Sequence, residues 1–224
     1  MEEPKRKSTP CCMLLLRAVD PFDPKVVLEL SVRAKQQLRR RARATRKAHA
    51  PASLAERSAR LVPRILTHGS FEQARSVGLF WPMIERGEVD VRPLDAAARA
   101  AGKAVFYPFL QRSERGVRTG FRLTSAATEL VLGVERFAQP AESALEAKRG
   151  DVDLVIVPAL AVAGDGHRLG YGMGFYDATL PDVCPPARTI AVAYDFELLA
   201  ELPSEPHDVR CDVVITDVRT LEPA

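Results

Sequence analysis

Apolar residues in this chain gather in short continuous runs instead of alternating with polar ones. Ser76-Val77-Gly78-Leu79-Phe80-Trp81, Ala104-Val105-Phe106-Tyr107 and Leu154-Val155-Ile156-Val157 each stop at a proline: Pro82, Pro108 and Pro158. Thr189 to Ala193 and Val213 to Thr216 repeat the pattern near the C-terminus, and Phe121 to Leu123 is a shorter candidate. Such runs read as strands covered on both faces. The stretches between them have helical character. Ser31 to Ala48 contains no Gly or Pro and is rich in strong helix formers. Ser53, with Glu56 three residues later, is placed to cap a second helix to about Leu66, which Pro63 should kink or end early. Asp90 to Ala101 is Ala-rich and stops at Gly102, and Tyr176 to Leu180 suits a short helix. Strands alternating with helices predict one α/β domain with a largely parallel sheet and helices on both faces. Ala138 to Gly150 reads as a linking segment, and no internal repeat is present.

Parallel sheets gather ligands at the carboxyl ends of their strands. The segment beyond Pro158 carries Gly166-His167-Arg168-Leu169-Gly170-Tyr171-Gly172-Met173-Gly174-Phe175-Tyr176-Asp177, with glycines at alternate positions between an arginine and a Tyr-Asp pair. Glycines so spaced allow positive φ and let consecutive N–H groups cradle an anion such as phosphate. Arg168 adds a planar cation, and Asp177 is a candidate metal ligand. The loop from Ala159 to Leu169 is too long for a dinucleotide fingerprint, and no G-x-x-x-x-G-K-[ST] occurs. There is no G-x-S-x-G elbow and no nucleophile with a visible partner.

Charge changes the picture locally. The 32 basic and 29 acidic residues among 224 leave +3, too near balance for nucleic-acid binding by the whole molecule. Eight Lys or Arg residues and no acid lie between Arg33 and Lys47, with Lys35 and Arg39 on one helix face. Most would be solvated; the Lys35 and Arg39 pair suits a polyphosphate. Without aromatic residues for stacking, the helix is a poor RNA platform. Glu88, Asp90, Asp177 and Asp208 are the candidate carboxylates, and magnesium asks for only one or two beside substrate phosphates. His49, His68, His167 and His207 lack ligand spacing.

The four cysteines have no zinc or redox spacing, which favours a reducing compartment. Cys11 to Leu16 is too short for a membrane span or a typical signal core. A cytoplasmic protein is expected. Residues 1–30, broken by Pro4, Pro10, Pro21 and Pro24, read as a poorly ordered extension before a domain of residues 31–224.

Taken in order, Lys35-x-x-Leu38-Arg39, Trp81-Pro82 with Glu88-Val89-Asp90, Tyr107-Pro108, Val157-Pro158-Ala159-Leu160, Arg168 to Asp177, and Leu202-Pro203 with His207-Asp208 resemble the 5-formyltetrahydrofolate cyclo-ligase family. The resemblance implies a fold like that of NagB, RpiA and CoA-transferase proteins, and an ATP- and magnesium-dependent conversion of 5-formyltetrahydrofolate to 5,10-methenyltetrahydrofolate through a phosphorylated formyl intermediate. It implies contacts of Lys35, Arg39 and the stretch Arg168, Leu169, Gly170, Tyr171, Gly172, Met173, Gly174, Phe175 and Tyr176 with ATP. It further implies folate contacts from Trp81, Glu88, Tyr171 and Tyr176, magnesium on Asp177 and Asp208, and catalytic roles for Arg168 and Tyr176. Arg168 is the residue chosen for stabilising the transferring phosphoryl group. The expected protein is a monomer with no nucleic-acid or membrane partner.

Four positions depart from the family pattern. Met173 stands where many relatives have Gly or Lys, Phe175 replaces a commoner Tyr, Val162-Ala163 stand where Phe-Asp is frequent, and Glu197 stands where Gln is frequent. Two alternatives stay open: a related enzyme acting on another formylated amine, as in thiamine-related salvage, and a basic RNA-binding or regulatory protein.

Overall fold

The computed structural model describes residues 24–114, 116–133 and 137–223. Its elements are α1 (Pro24–Ala48), α2 (Pro51–Leu66), α3 (Gly69–Gln73), β1 (Ser76–Gly78), α4 (Arg92–Ala100), β2 (Ala104–Ser113), β3 (Gly116–Leu123), β4 (Val131–Leu132) and β5 (Ala138–Gln139). They continue with β6 (Leu154–Pro158), β7 (Ala161–Ala163), β8 (Arg168–Leu169), α5 (Phe175–Val183), β9 (Arg188–Val192), β10 (Leu198–Leu199), β11 (Val213–Ile215) and β12 (Thr220–Leu221).

The main sheet runs β12-β11-β9-β6-β1-β2-β3. Its central pairings β11·β9, β9·β6, β6·β1 and β1·β2 are parallel, and antiparallel strands close both edges. Side chains alternate between two cores. Leu154 and Ile156 face one with Leu61, Ile65 and Leu94 of α2 and α4, while Val155 and Val157 face the other with Leu180 and Val183 of α5. This double covering is why the strand sequences are apolar throughout.

Several boundaries differ from the sequence-based expectation for identifiable reasons. Helix α1 begins at Pro24, so Pro24 to Leu30 are its first turns, whereas residues 1–23 with the Cys11 to Leu16 run lie outside the described residues. Helix α2 starts at Pro51 with Ala50 as its cap, and Ser53 sits inside it instead of capping it. Proline is well suited to a first helical position, so the Pro51 signal wins over the capping-box spacing. Pro63 lies within the helix, which continues to Leu66. Pro108 does not end β2. Beyond Phe106 no partner continues on the β1 side, so Pro108 sits on a free edge while its other side faces Phe121 of β3. A missing N–H is tolerated there. The hairpin β2–β3, extended to Gly116, is the largest element that apolar runs failed to signal, because its outer half is exposed.

Helix α1 crosses the carboxyl ends of the parallel strands, and Arg46 fastens it there. Arg46 Nε donates to Glu197 Oε1 at 2.7 Å and Nη2 to the carbonyl of Ala159 at 2.8 Å, just past β6. Nη1 donates to the Tyr171 hydroxyl at 3.2 Å, and the guanidinium packs over the Tyr194 ring. Both members of the ion pair are almost wholly enclosed, at 2% and 1% exposure. Burial opposes the charge on Arg46, but Glu197 outweighs it and holds the guanidinium pKa above its usual value. Removing one member strands a buried charge, which costs about 3–5 kcal/mol. Arg46→Ala is expected to lose stability on that scale in urea unfolding; a loss under about 1 kcal/mol, the range of a surface pair, would contradict the account.

Candidate functional site

The segments after β1 and at the end of β6, Pro108 in the middle of β2, the glycine segment and the central part of α1 enclose one cleft of about 350 Å³. Lys35, Arg39, Trp81, Glu88, all residues from Arg168 to Asp177, and Asp208 line it. Of the residues singled out for a site, only Asp90 is absent from this concavity; it pairs with Arg92 at 2.6 Å instead. The roles assigned to them divide along physical lines.

The glycine segment is held by α1 through its carbonyls. Arg39 Nε donates to Gly170 O at 3.0 Å and Arg43 Nη2 to Tyr171 O at 3.1 Å. Gly172 has φ +99°, and a Cβ there would sit 3.3 Å from the Arg39 guanidinium. Gly174 has φ +66° and caps α5. With the carbonyls of 170 and 171 so engaged, the backbone N–H groups from Tyr171 to Gly174 donate to no described residue. That row of unengaged donors at the start of a helix suits an anion. Met173 is about half exposed and brings no charge.

Arg168 departs from its expected orientation as a free cation. Its side chain is 4% exposed, Nη2 donates to Asp177 Oδ1 at 2.7 Å, and Nη1 donates to the carbonyl of Val209. The guanidinium thus fixes Asp177 and the loop before β11, and lies against the Tyr176 ring. Burial, then the charge of Glu88, raises the Tyr176 phenol above its usual pKa, so the hydroxyl keeps its proton at neutral pH.

Lys35 is likewise committed. Nζ lies 2.6 Å from Asp208 Oδ2 and 2.9 Å from Glu205 Oε1, with Lys35 and both acids largely enclosed. Burial raises the Asp208 carboxyl, but the Lys35 hydrogen bond and charge outweigh it and hold the pKa below its ordinary value. Asp177 Oδ1 also accepts from Val209 N at 3.2 Å, which brings Asp177 beside the residue following Asp208. Asp177 Oδ2 and Asp208 Oδ1 accept nothing from the described residues. Among those residues no cluster of three or more His, Cys, Asp or Glu is poised to hold a metal. Two carboxylates, each with an open oxygen, fit a magnesium ion whose other ligands are substrate phosphates and water.

The cleft also has apolar and aromatic lining, from Trp81, Pro108, Phe137 and Phe175, and includes Glu88. Glu88 is 5% exposed, and Oε2 accepts from Met83 N at 2.7 Å. Burial raises its pKa, opposed by the Met83 amide and by the Tyr171 hydroxyl that donates to it.

Sequence reasoning passed over Glu205, Arg86, Arg43 and Arg46. For the arginines a signal was available: positions 35, 39, 43 and 46 recur at helical spacing and so share one face. The eight-cation stretch is therefore only partly the solvated surface expected of it. For Glu205, its place three residues before Asp208 was the available hint.

The comparisons with known proteins bear on this site. The model of the 5-formyltetrahydrofolate cyclo-ligase family matches residues 31–217. The 5-formyltetrahydrofolate cyclo-ligase of Escherichia coli K12 is 29% identical over 184 residues, spanning 80% of this chain and 98% of that protein. The protein of the same name from Mycolicibacterium smegmatis is 53% identical over 70 residues, which span 31% of this chain and 36% of that protein. Among solved structures, the 5,10-methenyltetrahydrofolate synthetase of Aquifex aeolicus superposes with a TM-score of 0.71 at 26% identity, covering 84% of this chain and 92% of that one. The Mycoplasma pneumoniae synthetase, at 18% identity and TM-score 0.63 over 82% of this chain and 98% of its own, shares the fold. Among the described residues no helix is long and apolar enough to cross a membrane.

Glu88 yields a pH prediction. Its folded pKa lies above the 4.5 of an exposed glutamate, so the folded state binds that proton more tightly than the unfolded one. Its contribution to stability therefore declines as pH rises from 4.5 through the folded value. Glu88→Gln keeps the acceptor for Met83 N and abolishes the decline. Urea titrations at stepped pH should show the variant gaining on the parent across that window; a constant difference would refute the assignment.

Proposed function

The chain belongs to the 5-formyltetrahydrofolate cyclo-ligase family, and from that membership we propose that it closes 5-formyltetrahydrofolate to 5,10-methenyltetrahydrofolate with ATP and magnesium. The observation that carries the proposal is the single cleft. It joins unengaged N–H donors at 171–174, two carboxylates with open oxygens, an aromatic lining and a buried acid. Phosphoryl transfer depends on positioning and charge neutralisation rather than on a protein nucleophile. In the proposed reaction the formyl oxygen attacks the γ-phosphorus and ADP leaves. The 10-nitrogen then attacks the activated carbon and releases its proton to solvent, and phosphate departs to leave the methenyl bridge.

In this reading the backbone from Tyr171 to Gly174 takes the ATP phosphates, and Arg39 positions that loop. Asp177 and Asp208 hold magnesium, which when bound supplies charge neutralisation at the phosphates. Arg168 acts by fixing Asp177, and Lys35 by fixing Asp208 beside Glu205, which revises both from direct phosphate contacts to positioning residues. Trp81, Phe175 and the Tyr171 and Tyr176 rings offer faces for a flat ring system, and Glu88 offers a hydrogen-bonding carboxyl to its polar edge. The alternative of a different formylated amine rested on Val162-Ala163, but these lie buried in β7 and do not line the cleft. The RNA-binding alternative is weakened because Lys35, Arg39 and Arg46 are spent on internal contacts.

Protein mixed with Mg-ATP and 5-formyltetrahydrofolate should develop the near-ultraviolet absorbance of the methenyl product, and well-folded protein yielding none would overturn the reading. Arg168→Lys keeps a charge but loses the planar fork that reaches both Asp177 and Val209. It should lower kcat by about 100-fold, the scale of one misplaced catalytic group, and raise the magnesium requirement; turnover near the parental value would remove Arg168 from the mechanism.

A further inference from the structure

A second cavity, of about 810 Å³, lies against the first. Arg86, Glu88 and Tyr171 line both and form the partition between them. The proposed reaction makes no use of this second space.

Its charge is unbalanced by design of the surrounding contacts. Arg92 is neutralised by Asp90 at 2.6 Å, and Arg46 by Glu197 at 2.7 Å. The remaining cations are not. The side chains of Lys47 and Arg86 make no hydrogen bond or ion pair with any described residue, and that of Arg43 makes one hydrogen bond, to the uncharged carbonyl of Tyr171. Against these three stand two acids without an ion pair: Glu85, which is exposed, and Glu88, which is buried in the partition and holds its proton more tightly than an exposed glutamate. Solvated cations on a convex helix would carry no inference. Here they come from two separate elements, α1 and the turn Ile84–Arg86, and converge on one concavity, where low-dielectric walls concentrate their field.

We propose that this cavity is a second anion site, taking a small multivalent phosphoryl or carboxylate anion that bridges Arg43, Lys47 and Arg86. Arg43 links it to the cleft, since the same guanidinium holds the Tyr171 carbonyl of the glycine loop. An anion that draws Arg43 away changes the support of that loop, and by linkage a ligand on the loop alters anion affinity by the same factor.

The test is calorimetric titration of the full chain with pyrophosphate and, separately, citrate, on the parent, Lys47→Glu, Arg86→Ala and Arg39→Ala. Lys47 lines only the second cavity and makes no contact that folding needs; circular dichroism checks each variant. At least one anion should bind the parent, with Kd rising about tenfold or more, equivalent to one lost charge contact of about 1.4 kcal/mol, in Lys47→Glu and Arg86→Ala. Arg39→Ala, which removes no residue lining the second cavity, should retain that binding. The tighter of the two anions identifies phosphoryl or carboxylate chemistry. No binding by the parent, isotherms of Lys47→Glu matching the parent, or loss of all binding in Arg39→Ala would each overturn the proposal.

Discussion

The guanidinium of Arg46 is the joint on which the rest of the architecture turns. From one position near the end of α1 it reaches the acid after β9, the carbonyl after β6 and the hydroxyl of Tyr171. Without it α1 would keep only Lys35 as a buried anchor, because most of that helix is exposed and its face toward the sheet is basic rather than apolar. Hydrophobic burial builds the two cores, but it does not place α1. Directional bonds from a planar cation do, and a point charge such as lysine could not satisfy three acceptors in those directions.

From that placement the cleft follows. Once α1 is seated, Arg39 and Arg43 come within reach of the glycine loop and turn its carbonyls outward from the cleft's donor row. Lys35, further back along the same face, reaches Asp208 and Glu205 and draws in the loop before β11. Arg168 fastens that loop from the other side through Val209 while holding Asp177. The site is thus assembled by cations that are already spent, and its remaining potential for binding lies in backbone N–H groups and open carboxylate oxygens. Such contacts orient the loop and the carboxylates within the protein itself, which is what positioning catalysis needs.

The departures noted in the sequence find different fates in this frame. Glu197, in place of a frequent Gln, supplies the charge that makes the Arg46 contact an ion pair. Phe175 contributes to an aromatic cluster with Phe121, Phe137 and Tyr176. Val162 and Ala163 fill β7 in the small sheet with β8 and β10. Met173 stays at the rim, where a thioether can cover apolar surface but offers no phosphate a charge.

Local chemistry was legible from the chain alone. Apolar runs located the parallel strands, the run of strong helix formers located α1, and alternate glycines marked the loop, because each of these follows from neighbours in sequence. The short strands β4, β5, β7, β8, β10 and β12 escaped, since two or three residues carry no readable period. What only the tertiary structure decided was who neutralises whom. Lys35 and Asp208 are 173 residues apart and Arg46 and Glu197 are 151, and periodicity says nothing about contacts at that range. The chain by itself determined that a glycine loop, a basic helix face and two carboxylates were present. Packing of α1 over the strand ends brought Lys35 to Asp208, and the turn of the glycine segment brought Arg168 to Asp177, because an enclosed cation must find a counter-charge within reach.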